Sequence, residues 1–89
     1  MKIKLELFGA SKDFSDKDHL EIEVQDKASI DDLRNEIIKY LVINFKGNEN
    51  FIKVVKSSAF CSENNEIISD NYKITKDQKI GIIPPIGGG

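Results

Sequence analysis

The sequence is short of the residues that most often announce a chemistry. It has one cysteine, one histidine, no tryptophan and two prolines in 89 residues. A single cysteine, Cys61, cannot form an internal disulfide, and with His19 as the only histidine no Cys/His cluster exists for a metal. No catalytic constellation stands out. An excess of one charge is also missing: 13 Lys and Arg face 15 Asp and Glu, a net charge of −2, and the signs are interspersed. A nucleic-acid binder would show a basic face, and nothing here calls for an anionic membrane surface. No apolar run approaches the length needed to span a bilayer. Met1 opens directly on alternating strand residues and not on the apolar core of a signal peptide, so a reducing, cytoplasmic setting is expected. The length bounds the chain to one domain with a modest core.

What is present is periodic. From Met1 to Phe8, Ile3, Leu5 and Leu7 alternate with Lys2, Lys4 and Glu6, which reads as a half-buried strand. Gly9-Ala10-Ser11 breaks it. The polar stretch to Asp18 is a loop with room for a short irregular helix, and Phe14 is its one large apolar residue. Leu20, Ile22 and Val24 alternate with Glu21, Glu23 and Gln25, so the two runs make an antiparallel hairpin with one wet face. Ser29 stands where an N-cap belongs and can accept from the amide of Asp32. Asp31 and Asp32 suit the positive end of the helix, so this acid pair is a helix start and not an acid/base pair. Ile30, Leu33, Ile37 and Leu41 then form one face of a helix to about Val42, with Arg34, Glu36 and Lys39 on or near its wet side. Asn44 to Asn50 ends it, with Gly47 and the asparagines as positive-φ candidates.

Phe51 to Cys61 is less regular. Ile52, Val54 and Val55 read as a short turn or an extended connection, and Ser57 to Ser62 as a strand. Ile67-Ile68 is a short strand after a polar turn. Lys79 to Ile83 is the last strand, apolar enough to be central. A hairpin, a helix and further strands, with the first strand pairing the last in parallel, give an α+β fold of the ubiquitin-like β-grasp type. Its mixed sheet would have four to five strands, with one main helix packed on one face.

The chain ends Ile83-Pro84-Pro85-Ile86-Gly87-Gly88-Gly89. The prolines fix φ, remove two backbone donors and end the strand in an extended exit. The glycines accept almost any φ/ψ and can pass through a slot too narrow for a Cβ. Fully extended, Pro84 to Gly89 would reach roughly 20 Å. Terminal glycines can also be frayed linker, but a hydrophobic strand running straight into Pro84-Pro85 favours a functional tail. The domain is therefore taken as residues 1–83 and the flexible tail as 84–89. Of the other candidates, Cys61 reads as a packed cysteine and His19 as a solvated histidine. Phe8, Phe60 and Ile82 are divided between the core and the sheet face left open by the helix. Phe8 and Ile82 are the candidates for a partner-binding patch there.

Four stretches resemble the small, sulfur-carrying (MoaD-like) subunit of molybdopterin synthase, a ubiquitin-like family. They are Leu5-Glu6-Leu7-Phe8-Gly9-Ala10, Ser29-Ile30-Asp31-Asp32-Leu33, Asn64-Asn65-Glu66-Ile67-Ile68 and, most specifically, Ile80 to Gly89 with its two prolines before a terminal Gly-Gly. One departure is Lys76-Asp77-Gln78-Lys79, where the family has an acidic, glycine-containing turn; Asp77 can replace the glycine, since aspartate tolerates αL better than most residues. The resemblance implies a carrier cycle. An activating enzyme would use ATP to adenylate Gly89, and a sulfur donor would convert it to a thiocarboxylate. Pro84, Pro85, Ile86, Gly87 and Gly88 would then enter the active site of the large catalytic subunit, in a heterotetramer, where sulfur passes to the cyclic pterin precursor. No residue of this chain need be catalytic, no cofactor need be bound, and neither nucleic acid nor membrane is a partner. Carriers for the thiazole of thiamin or for a thiolated tRNA base remain alternatives, as do a modifier joined through Gly89 to target lysines and a plain binding module.

Overall fold

The computed structural model describes residues 1–85. Among the described residues seven strands and two α-helices occur in the order β1 (Lys2–Leu7), β2 (His19–Glu23), β3 (Ala28–Ser29), α1 (Ile30–Phe45), α2 (Glu49–Ser57), β4 (Ala59–Cys61), β5 (Ile67–Ile68), β6 (Lys73–Ile74) and β7 (Gln78–Ile83). The main sheet has five strands in the order β2-β1-β7-β4-β5. Strand β1 pairs antiparallel with β2 and parallel with β7, and β4 pairs antiparallel with both β7 and β5. The expected mixed sheet is thus present, with the first and last strands parallel and the last one central.

Alternation sets the faces. Ile3, Leu5, Leu7, Ile80, Ile82 and Phe60 are buried against the Ile30, Leu33, Ile37 and Leu41 stripe of α1, each at no more than 2% exposure. Helix α1 starts as Ser29 implies. The Ser29 hydroxyl accepts from the Asp32 amide at 3.1 Å, and the Asp32 carboxylate accepts from the Ser29 amide at 3.0 Å, a reciprocal capping box. The next amides are met by the loop before β6: Ile30 N donates to Tyr72 O and Asp31 N to Asp70 O. The small β3–β6 pair fastens the same corner.

Four local expectations are corrected. Residues 49–57 form a helix, not a turn or extended connection; Asn48 caps it, accepting from the amides of Asn50 and Phe51. Helix α1 is closed by Lys46 and Gly47 in positive φ, with no asparagine in that role. Asp77 has no positive φ; its carboxylate instead accepts from the Lys2 amide at 2.9 Å and pins the start of β1. Arg34 is not on the wet side. Its side chain is 15% exposed, lies over the Phe60 ring and donates to Ser58 O and the Asp70 carboxylate.

The loop after β1 does carry a short helix, a 3₁₀ turn over Gly9–Phe14. Phe14 is fully buried and stacks on Phe51, which meets Phe45, which meets Tyr40. The Tyr40 hydroxyl closes the circuit by donating to Phe14 O at 2.9 Å. These rings join the 3₁₀ turn to both helices, so the chain that leaves β1 is held against α2.

Candidate functional site: the open sheet face and the exit of the last strand

The helices cover one face of the sheet, and side chains of opposite parity project from the other. Across β1 and β2 this open face is charged and internally matched. Lys2 stands opposite Glu23 and Lys4 opposite Glu21. Glu6 pairs with Lys79 at 3.1 Å. His19 Nδ1 lies 3.1 Å from the Asp18 carboxylate, and that hydrogen bond holds the Asp18 carboxyl below its ordinary pKa. Cross-strand pairs of this kind suit a face in water.

Across β7, β4 and β5 the same face carries no charge beyond Lys79. Gly81 and Ile83 alternate with the core-facing Ile80 and Ile82. Cys61 is opposite Gly81, Ala59 is opposite Ile83, and Ile67 is opposite Cys61. Phe8, one residue past Leu7, lays its ring across Gly81: a Cβ there would fall 2.9 Å from Phe8 Cε2 and 2.7 Å from Cys61 Sγ. The ring and the strand leave Cys61 5% exposed, so it is a packed residue. Phe8 at 41% and Ile67 at 67% remain open to solvent, and Ile83 is half-buried.

The two candidates for the patch therefore separate. Phe8 is on the open face. Ile82 is not; it is fully buried, opposite Phe60 and Leu7, and belongs to the core. Phe60 is core as well, at 1% exposure. The patch residues that sequence reasoning missed are Ile83, Ile67 and Ala59. Strand alternation counted from Ile80 would have found Ile83, because it has the parity of Gly81.

The exit of β7 lies at the end of this patch. Pro84 is buried and Pro85 exposed, so the body extends one residue past Ile83. Gly9, at φ +55°, turns the chain away from β1, and a Cβ on it would lie 3.9 Å from Cγ and Cδ of Pro84. Both prolines line a groove of about 360 Å³ against Ala10 and the Asn50, Lys53, Val54 and Ser57 face of α2. The other sequence-predicted tail residues, Ile86, Gly87, Gly88 and Gly89, lie outside the described residues. A second groove, of about 540 Å³, lies between α1 and the β2–β3 connection. Of its three carboxylates, Asp32 is engaged in the capping box and Glu36 with Lys39 at 3.2 Å. Among the described residues no group of His, Cys, Asp and Glu is placed to hold a metal, and no helix is long and apolar enough to cross a membrane.

No protein-family model matches the sequence, and no curated protein does. Solved structures do match. A protein named molybdopterin converting factor subunit 1, from Pyrococcus furiosus, superposes with a TM-score of 0.68 at 22% identity, over 96% of this chain and 98% of that one. SAMP1 from Haloferax volcanii gives a TM-score of 0.68 at 14% identity, over the whole of both chains. A ubiquitin of Caldiarchaeum subterraneum gives 0.60 at 18% identity, over 100% of this chain and 98% of that one. The fold is ubiquitin-like. In it the ubiquitin-like body presents one apolar half-face, and its last strand leaves at the edge of that half-face.

Proposed function

We propose that this protein is a sulfur carrier, the small subunit of a molybdopterin synthase, and that its working group is the carboxylate of Gly89. One observation carries the reading: a buried central strand runs directly into Pro84-Pro85 and a terminal Gly-Gly-Gly, beside an apolar surface of Phe8, Ile67 and Ile83. The likeness to the Pyrococcus protein supports it at the level of fold.

The chemistry needs little from the chain itself. A carboxylate is a poor electrophile until it carries a good leaving group. An ATP-dependent partner joins the Gly89 carboxylate to AMP and releases pyrophosphate. A sulfur nucleophile displaces AMP and leaves a thiocarboxylate, which then transfers its sulfur to the pterin precursor. The catalytic groups belong to the activating enzyme and to the large subunit, while this chain supplies a body to dock and a terminus thin enough for both partners to close around.

The intact mass after incubation with ATP, an adenylating enzyme and a sulfur donor tests the reading, with a chain lacking Gly89 as control. A gain equal to exchange of one oxygen for sulfur, absent in the control, is the expected result. An unchanged mass with an enzyme that activates other such carriers refutes it. Appearance of a lysine conjugate in place of the thiocarboxylate replaces it with a protein modifier, which shares the first step.

A further inference from the structure

We propose that Pro84 is a positioning residue: it is seated in the body and sets the direction in which the reactive terminus leaves. The inference rests on the carrier function proposed above. Its basis is the contrast between two adjacent prolines, since Pro84 is buried and Pro85 exposed. The seat is built from separate elements. Below the ring is the backbone of Gly9, with Cγ and Cδ at contact distance from where a Cβ would be. Ala10 of the 3₁₀ turn and Val54 and Ser57 of α2 line the groove that Pro84 borders. Those elements are themselves locked. The Phe14–Phe51 stack holds the turn on α2, and Ser11 Oγ donates to Phe8 O at 2.6 Å. Ser57 Oγ donates to Lys53 O, so its one proton is already committed.

A seated proline has little freedom left. Its φ is fixed by the ring, and its burial opposes rotation of the whole residue. Only ψ remains to aim the residues beyond it. Pro85 borders the same groove and has the fixed φ, but it is exposed and lacks the contact with Gly9 that Pro84 makes. The same dipeptide therefore contains an anchor and a stiff spacer, in that order, and the outgoing direction is referred to the body at Pro84. Misplacement of a reacting group by about 1 Å can cost ~100-fold in rate, so an aimed terminus raises turnover without adding contact area. The open-face patch sets how tightly the body docks, and the seat sets how often a docked chain delivers its carboxylate.

Steady-state kinetics of ATP-dependent thiocarboxylation separate the two roles, with KM and kcat measured for this chain as substrate and urea unfolding run on each variant. Pro84→Gly is expected to lower kcat by about tenfold with KM within about twofold of wild type. Pro85→Gly, in the same tail but at an exposed residue, is expected to lower kcat less than Pro84→Gly does. Equal effects of the two substitutions, or a rise in KM with kcat intact, overturn the inference. Should Pro84→Gly fail to fold, Pro84→Ala replaces it under the same criteria. A wild-type chain that is not activated at all overturns the carrier function, and this inference with it. An active wild type with an indifferent Pro84 overturns this inference alone.

Discussion

Replacing Gly81 by alanine tests how tightly the open face is packed where Phe8 crosses it. Gly81 lies in β7 between core-facing Ile80 and Ile82, and its missing side chain would point at Cys61 and Phe8. The new methyl would sit 2.7 Å from Cys61 Sγ and 2.9 Å from Phe8 Cε2, both inside van der Waals contact. The two neighbours yield differently. Phe8 is 41% exposed and can swing outward, whereas Cys61 is 5% exposed on a paired strand and can yield only if β4 shifts. Overpacking of this kind costs about 1–3 kcal/mol. Against it stands the loss of glycine's freedom in the unfolded chain, worth about 0.4–1 kcal/mol. The net expectation is a loss of ~1–2 kcal/mol. For a domain of this size each kcal/mol lowers Tm by roughly 4–8 °C. Urea unfolding measures the loss, and Cys61→Ala in the same chain tests its cause. Because the methyl and the sulfur collide, the double variant should lose less than the sum of the single ones, by ~1 kcal/mol. A Gly81→Ala protein as stable as wild type, or strict additivity with Cys61→Ala, would refute the packing argument.

Two further outcomes concern the helix start and Arg34. Ser29→Ala should cost ~1 kcal/mol at neutral pH through loss of the cap, measured as a shift in the urea midpoint. Hydrogen bonds from the Ser29 amide and then its hydroxyl hold the Asp32 carboxyl below its ordinary pKa. A depressed folded-state pKa stabilises above the unfolded value, near 3.9, and that stabilisation is lost as pH falls through the folded value. The gap between wild type and Asp32→Asn should thus be widest at neutral pH and close in strong acid; a gap that widens on acidification refutes it. Arg34→Ala should destabilise by about 1–3 kcal/mol, mostly by freeing the Ser58 carbonyl and uncovering Phe60, because the Asp70 partner is 66% exposed and contributes little. Arg34→Lys, which keeps the charge but not the fork, should recover less than half of the loss; full recovery would assign the stability to charge alone.

Periodicity carried most of this fold because most of its elements are amphipathic. Ile3, Leu5 and Leu7, and likewise Leu20 and Ile22, are buried at alternate positions, and the α1 stripe is buried at the predicted spacing. Helix α2 was hidden for a physical reason. Ile52, Val54 and Val55 are β-branched and mimic a strand, and within the helix only Val55 is fully buried. The helix signals were Asn48 followed by Glu49, a cap too common among turn residues to decide the matter, and the spacing of Phe51, Ile52 and Val55, a run too short to fix a period. Arg34 misled because an arginine near the polar edge of a helical wheel is normally wet; its burial depends on Ser58, Phe60 and Asp70, all distant in sequence. Asp77 misled in the same way, since its partner is the amide of Lys2. For the site, the position of the exit was legible from Pro84-Pro85, whereas the membership of the patch depended on the parity of β7. Three consecutive apolar or small residues, Gly81, Ile82 and Ile83, do not reveal that parity by themselves.

The coincidence of patch and exit at one corner comes from the direction of a single strand pair. Strand β7 runs parallel to β1, with Leu7 beside Ile82. Both strands therefore finish at the same edge of the sheet, and the residues just past their ends, Phe8 and Pro84, come out side by side. Had β7 run antiparallel to β1, Phe8 would lie at the far end of the face and the terminus would leave from a corner bordered by Lys2. The parallel arrangement also requires Gly9. A chain ending β1 beside the start of an exit must turn away at once, and the positive φ of Gly9 makes that turn while leaving room for the Pro84 ring. Paired charges on β1 and β2 then mark the half of the face suited to water, and the half beside the exit, where Lys79 is the one charge, is where the proposed partner would gain most by covering apolar surface. Under the carrier function proposed above, a partner docked there would meet the outgoing chain without needing to search for it, so one contact would serve both recognition and delivery.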